Sequence, residues 1–172
     1  KFNKNQYVIT DAFKMSKITY KVNDTWDTPD KDFIFQPGGS NIENGKNVIM
    51  NNHAFYGYFE GYNTLPFEIK VIKPAAMYAT THLSVERKNA EEDILTARNY
   101  VYLADNPVFY CSPDTVSFAV GKSRINISVY SATGKVKSSQ VSSYLQPMAL
   151  ALKQFFNGLP VDSYQFLFYF ED

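Results

Sequence analysis

A mainly β protein, with antiparallel strands arranged like a β-sandwich, is what this sequence predicts. Three observations predict it. Aromatic residues make up 16% of the 172-residue chain, with 13 Tyr and 14 Phe, and such rings suit pleated, half-buried surfaces. Apolar residues recur with period two at Ile18/Tyr20/Val22, Phe67/Ile69/Val71 and Ile125/Ile127/Val129, the pattern of strands with one wet face. Turn-forming clusters punctuate these runs at short intervals. Only the stretch from Leu145 to Asp172 departs from this plan.

Taken in order, Lys17–Asn23 reads as a strand, because Thr19, Lys21 and Asn23 alternate with the apolar set. The polar loop 24–32 contains Pro29, and Gln36-Pro37-Gly38-Gly39-Ser40-Asn41 is a turn rich in residues that tolerate special backbone angles. Ala54–Phe59 is aromatic and reads as a strand, with Gly57 at a bulge or close approach. Phe67–Lys73 is a strand bracketed by Pro66 and Pro74. Asn89–Leu95 reads as a short helix, capped by Asn89 with acids in its first turn. Val116–Val120 and Ser123–Val129 form a hairpin about Gly121-Lys122, where a leading Gly suits a type II′ turn.

After Ser138 the period changes. Val141, Leu145, Met148, Leu152 and Phe155 or Phe156 recur at spacings of three and four, a helical stripe. Ser138 and Ser142 are both possible caps, and Pro147 is tolerated only in a first turn or at a kink, so a regular helix is expected from about Ser143. Gly158 and Pro160 stop it. The strand Tyr164–Phe170 follows. No partner for this apolar helix and strand is evident upstream, so the tail reads as the entrance to a second domain.

Composition narrows the functional classes. Hydrophobic residues are 45% and charged residues 20%, the net charge is zero and the pI is about 6.9, ordinary values for a folded domain. No basic stripe interleaves with the aromatics, which argues against a nucleic-acid partner. No apolar run approaches the roughly 20 residues of a membrane span. The single cysteine, Cys111, excludes an intrachain disulfide.

The residues that carry chemistry do not assemble into a known motif. His53 and His82 are the only histidines, and neither has a second His or a Glu at helical spacing, so His-Glu-x-x-His is absent. Cys111 paired with either His would be a hydrolase without a local nucleophile signature. Asp24, Asp27, Asp30 and Asp32 lack the spacing, Gly and closing Glu of an EF-hand. A solvated turn with Asx hydrogen bonds is the expectation there. Gly38-Gly39-Ser40 lacks the Lys of a phosphate loop. Of Phe55, Tyr56, Tyr58, Phe59 and Tyr62, core packing claims about half, leaving two or three rings able to stack on a sugar or peptide. The residues point to no catalytic group and no metal ligand within the chain.

Several segments in order carry a resemblance. Asn23-Asp24-Thr25-Trp26-Asp27, Pro37-Gly38-Gly39-Ser40-Asn41-Ile42 and Asn52-His53-Ala54-Phe55-Tyr56-Gly57-Tyr58-Phe59-Glu60-Gly61 come first. Leu65-Pro66-Phe67-Glu68-Ile69, Lys73-Pro74, Tyr102-Leu103-Ala104-Asp105-Asn106-Pro107-Val108 and Phe156-Asn157-Gly158-Leu159-Pro160-Val161-Asp162-Ser163-Tyr164 follow. Together they resemble the N-terminal region of the M61 metallopeptidases, the glycyl aminopeptidase family, in its Bacteroidetes branch. The resemblance implies an accessory β-domain over residues 1–137, with further strands before it, and the first helix and strand of a thermolysin-like catalytic domain over 138–172. It implies zinc in the full-length enzyme, held by residues outside this chain, and the enzyme's own catalytic domain as partner, with a peptide substrate met indirectly. A periplasmic or cell-envelope location fits the bacterial relatives. The rim residues expected to face substrate are Ser40, Asn41 and His53. The alternative is a stand-alone β-sandwich binding or adhesion module using exposed aromatics.

Overall fold

Residues 6–27, 38–112 and 114–171 are described by the computed structural model. Asp30, Asp32, Pro29, Gln36 and Pro37 lie outside them. The antiparallel pair β1 (Asn41–Glu43) and β2 (Asn47–Met50) leads into the short helix α1 (Asn52–Phe55). There follow β3 (Phe67–Ile72), β4 (Tyr78–Thr80), β5 (Ser84–Arg87), β6 (Glu92–Ala97), α2 (Tyr100–Ala104) and β7 (Val108–Cys111). Their strands form a four-stranded sheet, β1-β2-β7-β4, and a three-stranded sheet, β3-β6-β5, all antiparallel. The two sheets share one core, in which Met50, Leu83, Leu95, Leu103 and Val108 are buried. The β-sandwich-like class read from the sequence is what the chain adopts.

A third sheet follows. The hairpin β8 (Asp114–Val120) and β9 (Ser123–Ser131) is as expected, with a two-residue connection. Gly121 has φ +65° while Lys122 is absent from the positive-φ residues, the type II′ rather than the I′ signature. Helix α3 (Ser138–Phe155) then returns the chain to β10 (Ser163–Phe170), which runs parallel to β9 along its whole length, from Ser163 opposite Arg124 to Phe170 opposite Ser131. The tail therefore has its partner within the chain. Phe166, Phe168 and Phe170 stack in a ladder and join Val120, Ile125, Ile127, Val129 and Ala149 in a second core beneath α3.

Four expectations are corrected. Lys17–Asn23 has no strand partner among the described residues, and Ile18 and Tyr20 are exposed; alternation makes a strand only where a ladder is available. Ala54–Phe59 is not a strand, because Asn52 turns the chain into α1 and Nδ2 donates to Leu103 O at 3.0 Å and Asn106 O at 2.7 Å. Asn89–Leu95 is not a helix. Asn89 Oδ1 accepts the Glu91 N–H at 2.8 Å, an Asx turn, and Asp93, Leu95 and Ala97 then alternate inward on β6. The buried Asp93, 3.7 Å from Arg87 Nε, disguised that period.

The fourth concerns α3, which begins at Ser138 rather than Ser143 and carries Pro147 inside it. Its start is fixed by a distant residue. Asp114 on β8 accepts the Ser138 N–H at 2.9 Å and the Ser138 hydroxyl at 2.7 Å. The expected stripe also divides: Val141 and Leu145 pack inward, joined by Ala149, which the stripe did not include, whereas Met148, Leu152, Phe155 and Phe156 are exposed. At the other end Asn157, with φ 52°, takes the left-handed position. Gly158 N–H bonds Lys153 O at 2.8 Å and Asn157 N–H bonds Gln154 O at 3.3 Å, a Schellman closure.

The Ser138 hydrogen bonds hold the Asp114 carboxyl below the ordinary aspartate range. A depressed pKa means stability that is present above the unfolded-state value and lost as pH falls through the folded one. Asp114→Ala removes both hydrogen bonds and, because the carboxylate is exposed and screened by solvent, should cost only about 0.5–1 kcal/mol at pH 7. Urea unfolding should show the gap between the two proteins closing as the solution is acidified.

Candidate functional site

Period two gives β10 two working faces. The even-numbered phenylalanines enter the second core, and Leu167 and Tyr169 point the other way, toward β1, β2 and β7. There Tyr169 stacks on Tyr130 at 5.4 Å between centroids and meets the edge of Trp26 at 5.1 Å. Phe109 of β7 completes the cluster, 6.0 Å from Tyr130 and 6.4 Å from Tyr169. These rings join the sandwich to the third sheet.

A polar network anchors the cluster. The Tyr169 hydroxyl donates to Glu43 Oε1 at 2.7 Å. The same oxygen accepts Asn47 Nδ2 at 3.0 Å and Asn41 Nδ2 at 3.4 Å, while Lys46 Nζ lies 3.1 Å from Oε2. Hydrogen bonding, above all from Tyr169 and then Asn47, lowers the Glu43 carboxyl to about 2. Burial, with Glu43 next, pushes the Tyr169 phenol up.

The wall bearing Trp26 is built from the loop that the sequence singled out. Asp24 Oδ1 accepts the Trp26 N–H at 2.8 Å and the Asp27 N–H at 3.3 Å, and Oδ2 accepts the Ile42 N–H at 2.6 Å. This is the Asx turn expected of the acidic stretch. Ser40 N–H donates to Thr25 Oγ1 at 2.8 Å and Ser40 Oγ to Asn23 O at 2.8 Å. A Cβ at Gly39 would clash with Thr25 Oγ1 and crowd the Trp26 ring, so the loop can approach this closely only with glycine. Asn51 Nδ2 bonds Gly39 O at 2.5 Å and His53 Nε2 bonds Gly38 O at 3.0 Å.

Between this wall and β10 lies an open groove of about 460 Å³, lined by Trp26, Asn51, Phe109, Leu167, Tyr169 and, at its mouth, Glu171. Ser40, Asn41 and His53 are not among its lining residues; they belong to the loop and strand that bond around Gly38 and Gly39. Ser40 and Asn41 are buried and bonded within the chain, and His53 is exposed beside Gly38. Sequence reasoning missed Glu43, Phe109, Tyr130 and Tyr169. One signal was available: Leu167 and Tyr169 make both faces of β10 apolar, which a strand buried on one side does not require.

The groove is lined mainly by rings and apolar side chains, with Asn51 and Glu171 beside them. Cys111 is buried, and burial pushes its thiol up to about 12. His82 Nδ1 lies 3.3 Å from Ser163 Oγ and its ring packs by Tyr102. Cys111 should resist a thiol reagent at pH 7.5 until the chain is denatured; prompt labelling in the folded state would revive a cysteine nucleophile. Among the described residues no group of three His, Cys, Asp or Glu could hold a metal, so these residues do not fit a zinc centre. No described helix is long and apolar enough to cross a membrane. Of the aromatic segment, Tyr58, Phe59 and Tyr62 remain exposed.

Comparison with known proteins agrees with this architecture. The family model of the peptidase M61 N-terminal domain matches residues 1–112, and the chain belongs to that family. Among solved structures it is similar to an aminopeptidase N family protein from Idiomarina loihiensis, at 19% identity and a TM-score of 0.64, over 72% of this chain and 22% of that one. A variant of a two-domain M1 zinc metallopeptidase bound to L-tryptophan aligns at 14% identity and a TM-score of 0.44, over 75% of this chain and 33% of that one. The chain thus spans about a fifth to a third of these proteins' lengths. No protein of curated function matches it.

Proposed function

We propose that this chain is the non-catalytic N-terminal portion of a zinc-dependent M61-type aminopeptidase of glycyl preference, and that its groove forms one side of the substrate cleft. The family match over residues 1–112 supports the peptidase reading. The observation that carries the cleft role is the groove itself: the loop bearing Trp26 and the end of β10 enclose it together. Zinc would be held by residues outside this chain, and supplies a polarised water for attack on the peptide carbonyl. This chain's own share is to bind, to orient and to exclude water. The rings of Trp26 and Tyr169 give an apolar wall, and Asn51 and Glu171 give polar contacts near it.

The catalytic unit is taken to include residues 138–172. Because α3 and β10 pack on β8 and β9, we place the hairpin from Asp114 with them. The seam of Trp26, Tyr130, Tyr169 and Glu43 is then the joint between accessory and catalytic parts. Its rigidity fixes the accessory wall relative to whatever β10 leads into.

Ser40, Asn41 and His53 act in this reading as supports of the wall. Asn41 is buried in the Glu43 network, so its alanine variant disturbs folding as well. The discriminating variants are His53→Ala and Trp26→Ala in the full-length enzyme. Each should raise KM for a peptide substrate about three- to tenfold with kcat little changed, the mark of lost uniform binding. Unchanged kinetics in both, with the fold intact, would remove the groove from the cleft.

A further inference from the structure

The groove beside Trp26 changes its chemistry along its length. Alternation puts Leu167, Tyr169 and Glu171 on one face of β10 and its continuation, each step about 6.6 Å at roughly 3.3 Å per residue. The first step is an aliphatic side chain, the second a phenol and the third a carboxylate. Trp26 and Phe109 close on the Tyr169 step, at 5.1 and 6.4 Å between ring centroids. Glu171 is exposed, so the groove runs from an apolar channel to a solvated acid.

The charges beside this channel are unequal. Two carboxylates flank the Tyr169 phenol. Glu43 accepts its hydroxyl and is paired with Lys46 Nζ at 3.1 Å. Glu171 lies near enough to add, after burial and Glu43, to what pushes the phenol up. Among the described residues no ion pair forms to Glu171, and no other lining residue is charged. The apolar channel therefore ends at one negative charge that the described part of the chain does not neutralise.

A ligand that matches both features is an unbranched aliphatic stem ending in a cation. Lysine has this form. Its four-carbon stem is about as long as one step along β10, and such stems lie along apolar surface while the charged head stays in water. Arginine shares the chemistry. An acidic side chain would meet like charge at Glu171, and an apolar one gains nothing from it.

We propose that the groove takes a lysine or arginine side chain of a bound peptide, with the stem against Trp26 and Tyr169 and the cation at Glu171, which makes Glu171 a specificity-determining residue. The proposal rests on the cleft reading for its substrate class: peptides with a basic residue beyond the N-terminal one, since a glycine there has no side chain to offer. The binding itself does not need that reading.

Trp26 is the only tryptophan of the chain, so its fluorescence reports the groove. The test titrates the 172-residue chain with acetylated, amidated tripeptides Ala-X-Ala, in which X is lysine, norleucine or glutamate. Blocked ends leave the side chain as the only charge. The lysine peptide should change the emission saturably at millimolar concentration. At about 0.05 M salt it should bind about three- to fivefold more tightly than the norleucine peptide, the range open to an exposed ion pair, and the glutamate peptide should be the weakest. The lysine preference should shrink at about 0.5 M salt. Glu171→Gln should abolish it while the norleucine peptide binds as before. The rest of the chain is the same in both proteins, so the difference reports Glu171. Equal affinities for lysine and norleucine, a lysine preference retained in Glu171→Gln, or no emission change with any peptide at millimolar concentration would each overturn the proposal. The cleft reading is decided separately. A lysine preference with unchanged KM in His53→Ala and Trp26→Ala supports this site and removes the cleft, whereas raised KM without a lysine preference removes this site and leaves the cleft.

Discussion

Tyr169→Ala should destabilise the chain by about 2–4 kcal/mol, the range for losing a large, partly buried ring that also holds a polar network. The ring touches Trp26, Phe109 and Tyr130, and its hydroxyl is the strongest partner of Glu43. The milder variant separates the two contributions. Tyr169→Phe keeps the rings packed and removes one hydrogen bond to a carboxylate, at a cost of about 1.5–3 kcal/mol. A double-mutant cycle with Glu43→Gln should return a coupling of about 1–2 kcal/mol. The pH dependence has a fixed sign. Glu43 is lowered from 4.5 to about 2, so its contribution is complete above pH 4.5 and is lost as pH falls toward 2. Denaturant unfolding between pH 7 and pH 2 should show the wild type losing this increment and Glu43→Gln lacking it throughout. A flat difference across that range would mean that the network does not form.

The second large effect is expected at Asn52, which is wholly buried. Its Nδ2 donates to Leu103 O and Asn106 O, the carbonyls at the end of α2. Asn52→Leu removes the amide donor from both, leaving Leu103 O with the Asn106 N–H at 3.3 Å, and should cost about 2–4 kcal/mol. Asn52→Asp is nearly isosteric, yet it puts a carboxylate oxygen against two carbonyl oxygens and should cost more than the leucine variant. Thermal unfolding of the pair decides the matter. If Asn52→Asp is the more stable of the two, the amide is not the tie between α1 and α2.

How much of this was legible follows from the range over which each determinant acts. β3, the β8–β9 hairpin and the helix stop near Gly158 were readable because their signals are local: strict alternation, a Gly-led connection and a Gly followed closely by Pro160. The failures share a cause. The β6 period is hidden by Asp93, whose place inside depends on Arg87 from the neighbouring strand. The start of α3 depends on Asp114, 24 residues away in sequence. Ala54–Phe59 has the aromatics of a strand, but the bonds from Asn52 to the end of α2, more than 50 residues on, decide its conformation. No local pattern reports partners at that separation.

The site followed the same division. Ser40, Asn41 and His53 were singled out from turn composition and a family resemblance, and none of them lines the groove itself. The groove beside Trp26 could not be read, because its other side is Tyr169, 126 residues from Glu43. The sharper reading moves the weight from those three residues to the rings that the wall supports, with Trp26 on one side and Tyr169 on the other.

The measurement that bears most directly on the peptidase reading is made on the natural polypeptide that carries this sequence. Its zinc content by elemental analysis and its hydrolysis of an aminoacyl p-nitroanilide should be compared with those of residues 1–172 alone. One zinc per chain and metal-dependent hydrolysis are expected in the former and neither in the latter. Hydrolysis by residues 1–172 alone, or a natural polypeptide with neither zinc nor activity, would contradict it.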